Sequence, residues 1–155
     1  MRRMLIGSVA ALAALALGAT ALIGAAGGEQ GRAAATTDVG LVATITGSAE
    51  PGGGDRDGRG AAYVLVTSTK ICYGLVVNSV LKPTAAHIHR GRTGVNGPIV
   101  LPLRAPTAGN HGQSGGCVSG TSTLRSQLKS TPTQFYVNVH NTAFPNGAVR
   151  GQLRK

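Results

Sequence analysis

Three histidines carry the clearest chemical signal in the 155-residue sequence: His87 and His89, separated only by Ile88, and His140, which follows Tyr136-Val137-Asn138-Val139. Residues two apart in an extended strand point to one face, so His87 and His89 project together and His140 shares a face with Asn138 and Tyr136. If the two segments are neighbours in one sheet, three neutral imidazoles converge into a site suited to copper or zinc. Arg150 would stand on the next strand as an anion-steering charge, and His111, in the glycine-rich stretch 109–116, is a fourth candidate ligand. The same residues admit a second reading, in which the histidines bond backbone carbonyls or the Asn96 and Asn138 amides and pin the hairpins from within.

Other chemistries find little to work with. Acidic residues number five, and Glu50, Asp55 and Asp57 crowd one short stretch, so paired-carboxylate hydrolysis has no evident second partner. A serine triad would need an Asp or Glu behind one of the histidines, and no motif marks a nucleophile. The Asp55-x-Asp57-Gly58 piece is a fragment of a calcium loop in which Val66 stands where the closing glutamate would be. The residue types lean away from an enzyme, and no catalytic residue is singled out.

The start of the chain bears on where this chemistry would take place. Met1-Arg2-Arg3-Met4, an apolar run from Leu5 to about Ala26 and the small-x-small Ala19-Thr20-Ala21 match the three parts of a secretory signal, so residues 1–26 are expected to be a signal peptide. An uncleaved segment would be a membrane anchor, and a membrane enters in no other way. Without Arg2 and Arg3, 13 basic and 5 acidic residues remain, a net charge near +8. For an exported chain with few aromatics this argues against nucleic acid. It points instead to an anionic envelope polymer or an extracellular protein, with Arg90, Arg92, Arg150, Arg154 and Lys155 as candidate contacts. The expected location is secreted, periplasmic or on the cell envelope. There, Cys72 and Cys117 are expected to pair, closing a loop of about 46 residues worth roughly 4 kcal/mol in the chain-entropy account.

The elements that must position these side chains follow from period and punctuation. Residues 27–38 are rich in Gly, Ala and Thr without apolar period and read as a flexible leader; a single domain is expected over 39–155. Leu41, Ala43 and Ile45 alternate with Val42, Thr44 and Thr46, and Tyr63, Leu65 and Thr67 with Val64 and Val66, which predicts two half-buried strands. The stretch 50–60 between them, full of glycine and charge, reads as an exposed loop. Further strands are predicted at 71–77, 86–89, 99–103, around 117–121, at 135–140 and at 148–153. Asn96-Gly97 and Asn146-Gly147 mark the connections of two hairpins. One short helix is predicted over 124–129, with Thr123 as its cap and Pro132 beyond its end. Gly94, Gly97, Gly147 and Gly151 read as backbone necessities, and Asn138 and Gln152 first as hydrogen-bonding residues of the fold. The pattern predicts an all-β, antiparallel Greek-key sandwich or barrel, superoxide-dismutase-like or immunoglobulin-like, preceded by a signal helix.

Two long segments carry a family resemblance. Ala86-His87-Ile88-His89-Arg90-Gly91-Arg92-Thr93-Gly94-Val95-Asn96-Gly97-Pro98 and Tyr136-Val137-Asn138-Val139-His140, the latter continuing to Arg150-Gly151-Gln152-Leu153, resemble the two signature segments of the CHRD (chordin-type) domain. The stretch from Glu50-Pro51 to Gly60 resembles the family's opening loop, so the likeness extends from about Leu41 to Leu153. Arg90 and Arg92 stand where small residues are usual, and most prolines of the opening loop are missing. The resemblance implies an extracytoplasmic, non-enzymatic binding or structural module. The His-x-His strand, the later histidine, the arginine and the cysteine pair are also similar to the copper-zinc superoxide dismutases. Asp38, Asp55 and Asp57 all precede the first histidine, however, so the zinc half has no counterpart, and this second likeness implies at most one copper or zinc site in a redox or metal-binding protein.

Overall fold

The structure is a computed structural model that describes residues 37–109 and 111–155. The expected signal segment 1–26 lies outside the described residues, as does all of the leader but Thr37 and Asp38, which are exposed and outside regular structure. The described chain forms β1 (Val39–Thr46), β2 (Arg59–Val66), β3 (Ile71–Asn78), β4 (Pro83–Arg90), β5 (Ile99–Leu103), β6 (Gln113–Val118), α1 (Ser122–Ser130), β7 (Phe135–Asn141) and β8 (Val149–Gln152).

All eight strands join one antiparallel sheet in the order β5-β4-β7-β8-β1-β2-β3-β6, which curls into a nearly closed barrel. The period of two explains the inner lining. Leu41, Ala43 and Ile45 of β1, Ala62, Val64 and Val66 of β2, Ile71, Tyr73, Leu75 and Val77 of β3, and Val137 and Val139 of β7 point inward and are buried. Each fully buried Leu, Ile or Val adds about 1.5–3 kcal/mol, so the inward alternation drives closure. Across the gap between the edge strands, the Tyr73 hydroxyl accepts from the Arg104 amide at 2.9 Å and the Ser114 hydroxyl donates to the Arg104 carbonyl at 2.8 Å. Strands β4, β5 and β6 thus follow one another around the gap while β7 returns beside β4, the Greek-key path.

Several local expectations shift. The helix starts earlier than 124–129: the Thr121 side chain, not that of Thr123, accepts from the Leu124 amide at 3.1 Å and caps it. Leu124 and Leu128, four apart, are the residues it buries. The strand expected around 117–121 is β6, three or four residues nearer the N-terminus. Its Gly115 and Gly116 bring no side chain to a core, so backbone pairing with β3 decides its place. Cys72 and Cys117 face each other in that pairing and are joined by a disulfide. The stretch 50–60 is not simply exposed. The Gly47 amide donates to Gly58, Gly54 to Gly47, and Asp55 to Ala148 at 2.8 Å, so the loop folds back on the barrel and Glu50, Gly54 and Gly58 are buried.

Candidate metal centre and cleft

The register between β4 and β7 sets His87 opposite Asn138, His89 opposite Tyr136 and Ala85 opposite His140. Ile88, Val137 and Val139 line the barrel interior, so the histidines stand on its outer face. That face continues onto β8, where Arg150 lies opposite Asn138 and Gln152 opposite Tyr136. A shift of register between Ile88 and His89 leaves Val100 as an extra residue of β5, a bulge beside the site.

The outer face is covered at one end by the 91–98 connection, which four ties hold down. His89 Nδ1 donates to the Gly97 carbonyl at 2.9 Å, the Tyr136 hydroxyl accepts from the Gly97 amide at 3.1 Å, and the Arg150 guanidinium donates to Asn96 Oδ1 at 3.0 Å and to the Val95 carbonyl at 2.9 Å. Gly97 passes so close to β4 that a Cβ there would overlap the Arg90 carbonyl, which is why this position takes glycine. Nearby, the Gln152 amide nitrogen lies 2.7–2.9 Å from the carbonyls of Gly91, Thr133 and Phe135. With this cover in place β7 is buried on both faces from Phe135 to Val139, although its outer side chains are polar or aromatic.

Under the cover the three imidazoles meet. His87 Nδ1 lies 3.1 Å from His140 Nε2, and one ligand nitrogen from each of His87, His89 and His140 falls within 4.8 Å of the others. His140 Nδ1 donates to the Pro145 carbonyl at 3.0 Å, as His89 Nδ1 does to Gly97. A carbonyl only accepts, so both rings carry the proton on Nδ1 and offer the lone pair of Nε2 to the centre, the backing that metal-bound histidines receive. His89 Nε2 is buried and has no hydrogen-bond partner among the described residues. Burial lowers the basicity of His87, helped by His140 and His89. Burial also lowers that of His89 against the opposing pull of its Gly97 bond, with His140 and Arg150 adding to the lowering. Both rings are therefore neutral at neutral pH. Tetrahedral ligation at about 2.1 Å sets ligand nitrogens about 3.4 Å apart, so His87 and His140 stand close to ligand spacing while the widest separation, within 4.8 Å, has to close by about an ångström on binding.

His89 and His140 thus bond carbonyls, not the Asn96 or Asn138 amides, and His87 pairs with His140. His111 is exposed and is not part of the three-histidine group among the described residues. Arg90, Arg92, Arg154 and Lys155 are exposed, but Arg150 is not a surface charge: it is 2 % exposed, its guanidinium committed to the covering loop and stacked over Tyr136.

A cleft of about 470 Å³ adjoins the cup, lined among others by Glu50, His89, Asn138, Phe144 and Gly147. Glu50 is not legible as a site residue in the sequence, because its place in a polar, glycine-rich stretch gives no sign of burial. It is 8 % exposed, and burial pushes its carboxyl up to about 7 against the restraint of Arg150. Gly147 adopts φ 144°, and a Cβ there would meet Glu50 Oε1 at 2.5 Å, so this glycine makes room for the carboxylate. Asn146 is exposed at the cleft's rim.

Among curated proteins and solved structures none matches the chain. The family model of the CHRD domain matches residues 41–153, a span that takes in every strand from Leu41 of β1 to β8 and all residues of the cup and cleft. The chain therefore belongs to the CHRD domain family, whose domain is a structural or binding module.

Proposed function

We propose that this chain is a non-enzymatic binding module working outside the cytoplasm, and that its binding centre is the histidine cup, which takes a single copper or zinc ion. The observation that carries the reading is the pair of backed imidazoles: His89 and His140 each give Nδ1–H to a backbone carbonyl, which leaves the Nε2 lone pairs for a ligand in a group whose nitrogens lie within 4.8 Å of one another. His89 Nε2 is buried without a partner among the described residues, a state that costs about 1–3 kcal/mol and that a bound ion relieves. Three imidazoles with a free fourth position suit copper or zinc and leave an accessible coordination site, since His87 and His140 are only partly buried. The Cys72–Cys117 disulfide supports an oxidising location, and the family favours an extracellular one.

Metal content after stripping and reloading with copper or zinc tests the reading. One ion per chain is expected, falling to background in His87→Ala and in His89→Ala. No uptake by the intact chain, or uptake unchanged by both substitutions, overturns it.

A further inference from the structure

Among the described residues three buried side-chain atoms have no hydrogen-bond partner: Glu50 Oε1, His89 Nε2 and Asn138 Oδ1. All three residues line the one cleft beside the cup, although they come from the loop after β1, from β4 and from β7. Glu50 and His89 are each 8 % exposed and Asn138 is 3 % exposed. Leaving a buried carboxylate oxygen and a buried amide oxygen unpaired is costly in any folded protein, and their convergence on one opening marks a built site.

The chemistry of the lining selects the ligand. The oxygens of Glu50 and Asn138 accept, so the partner must donate. The Arg150 charge acts on Glu50 from a distance, but its hydrogen bonds go to Asn96 Oδ1 and the Val95 carbonyl and it lies over Tyr136, so Glu50 Oε1 is left without a donor. The other titratable side chains lining the cleft are His89 and Tyr136, while Asp55 and Asp57 of the same loop line a separate hollow. Phe144, with Ala143 and Pro145, supplies an apolar wall. We propose that this cleft binds a primary ammonium group on a short apolar stem, its hydrogens given to Glu50 and Asn138 and its stem laid against Phe144.

The ammonium can belong to a free small amine or to a lysine side chain of a partner, and the test separates them. The site does not require the metal, since Glu50 is not a member of the histidine group. Metal-stripped full chain is titrated with n-butylammonium, N-acetyl-lysine amide and n-butanol, followed by amide chemical shifts. Butylammonium is expected to bind and to move the signals of residues 50–54 and 143–147, with n-butanol at least about tenfold weaker, the usual scale of a hydrogen bond to a charged group. Tighter binding of the lysine probe would assign the ammonium to a protein partner, and tighter binding of butylammonium to a free amine. Glu50→Gln, which keeps the shape and removes the charge, is expected to weaken ammonium binding about tenfold or more. The double variant His87→Ala with His140→Ala is expected to retain it, so that failure of the metal reading leaves this one standing. Should Glu50→Gln fold poorly, the intact chain serves alone, with affinity expected to fall as the pH drops below about 7, where Glu50 takes up its proton. No ammonium binding, equal binding of butanol, unchanged binding in Glu50→Gln or loss in the histidine double variant each overturns the proposal.

Discussion

The guanidinium carbon of Arg150 lies 3.4 Å over the ring of Tyr136, the ring that also stacks on His89 with centroids 4.9 Å apart. One buried cation thus holds the covering loop by its hydrogen bonds and the aromatic support of a cup histidine by its plane. Replacing Arg150 by Leu is expected to cost about 2–4 kcal/mol, measured by urea unfolding, and to speed amide exchange in 91–98 ahead of the barrel strands. Arg150→Lys should recover little of this. A compact ammonium cannot reach Asn96 and Val95 together while stacking on a ring. Unaltered loop exchange in both variants would show that the loop is held by other contacts.

Glu50 should make stability fall as pH rises. Its folded value, about 7, lies above the ordinary carboxyl value of 4.5, so the folded chain holds the proton more tightly than the unfolded chain. The contribution is whole below about 4.5 and is lost as pH climbs through about 7. Glu50→Gln, which has no proton to lose, should gain on the parent by about 1–3 kcal/mol between pH 5 and pH 8, because each tenfold difference in proton affinity between the folded and unfolded chains is worth about 1.4 kcal/mol. Denaturant midpoints of the two chains at several pH values check this. A constant difference across the range would mean that Glu50 is not desolvated.

His87 and His89 act with the opposite sign. Their folded values lie below the ordinary 6.5, so the unfolded chain binds more protons, and the stability they contribute is present above about 6.5 and is lost as pH falls through the lowered values. In a Glu50→Gln background, which removes the competing carboxyl, thermal unfolding of metal-free protein should show this acid loss, and His87→Phe should reduce it. Copper or zinc should raise the melting temperature above that pH and lose its effect below it, because protons and metal compete for the same nitrogens.

Reducing the Cys72–Cys117 bond should loosen the edge of the barrel first. It ties β6 to β3, and β6 contributes Gly115 and Gly116 in place of core side chains. The double variant Cys72→Ser with Cys117→Ser is expected to lose about 2–4 kcal/mol, with amide protection in 113–118 falling before that in β1 or β2. Equal loss of protection in all strands would place the staple's effect in the unfolded chain alone.

Much of the barrel is legible in local pattern. The alternation of Leu41, Ala43 and Ile45 announces a strand and names its buried side, and the two-residue spacing of His87 and His89 already sets both rings on one face. The pairing of the two cysteines follows from their number and the expected compartment. Period two tells which residues share a face, but not which face another segment will cover. That Arg150 is buried and Glu50 nearly so depends on the 91–98 connection and the 50–60 loop folding over the outer side of the sheet through backbone bonds such as Asp55 to Ala148. The meeting of His87 with His140, 53 positions apart, rests on β7 choosing β4 as its neighbour. Such choices are made by the closure of the whole barrel, a free-energy gain spread over its entire lining. No short stretch of sequence contains it, and so the three histidines of the cup are readable in the chain while the cleft beside them is created only by the fold.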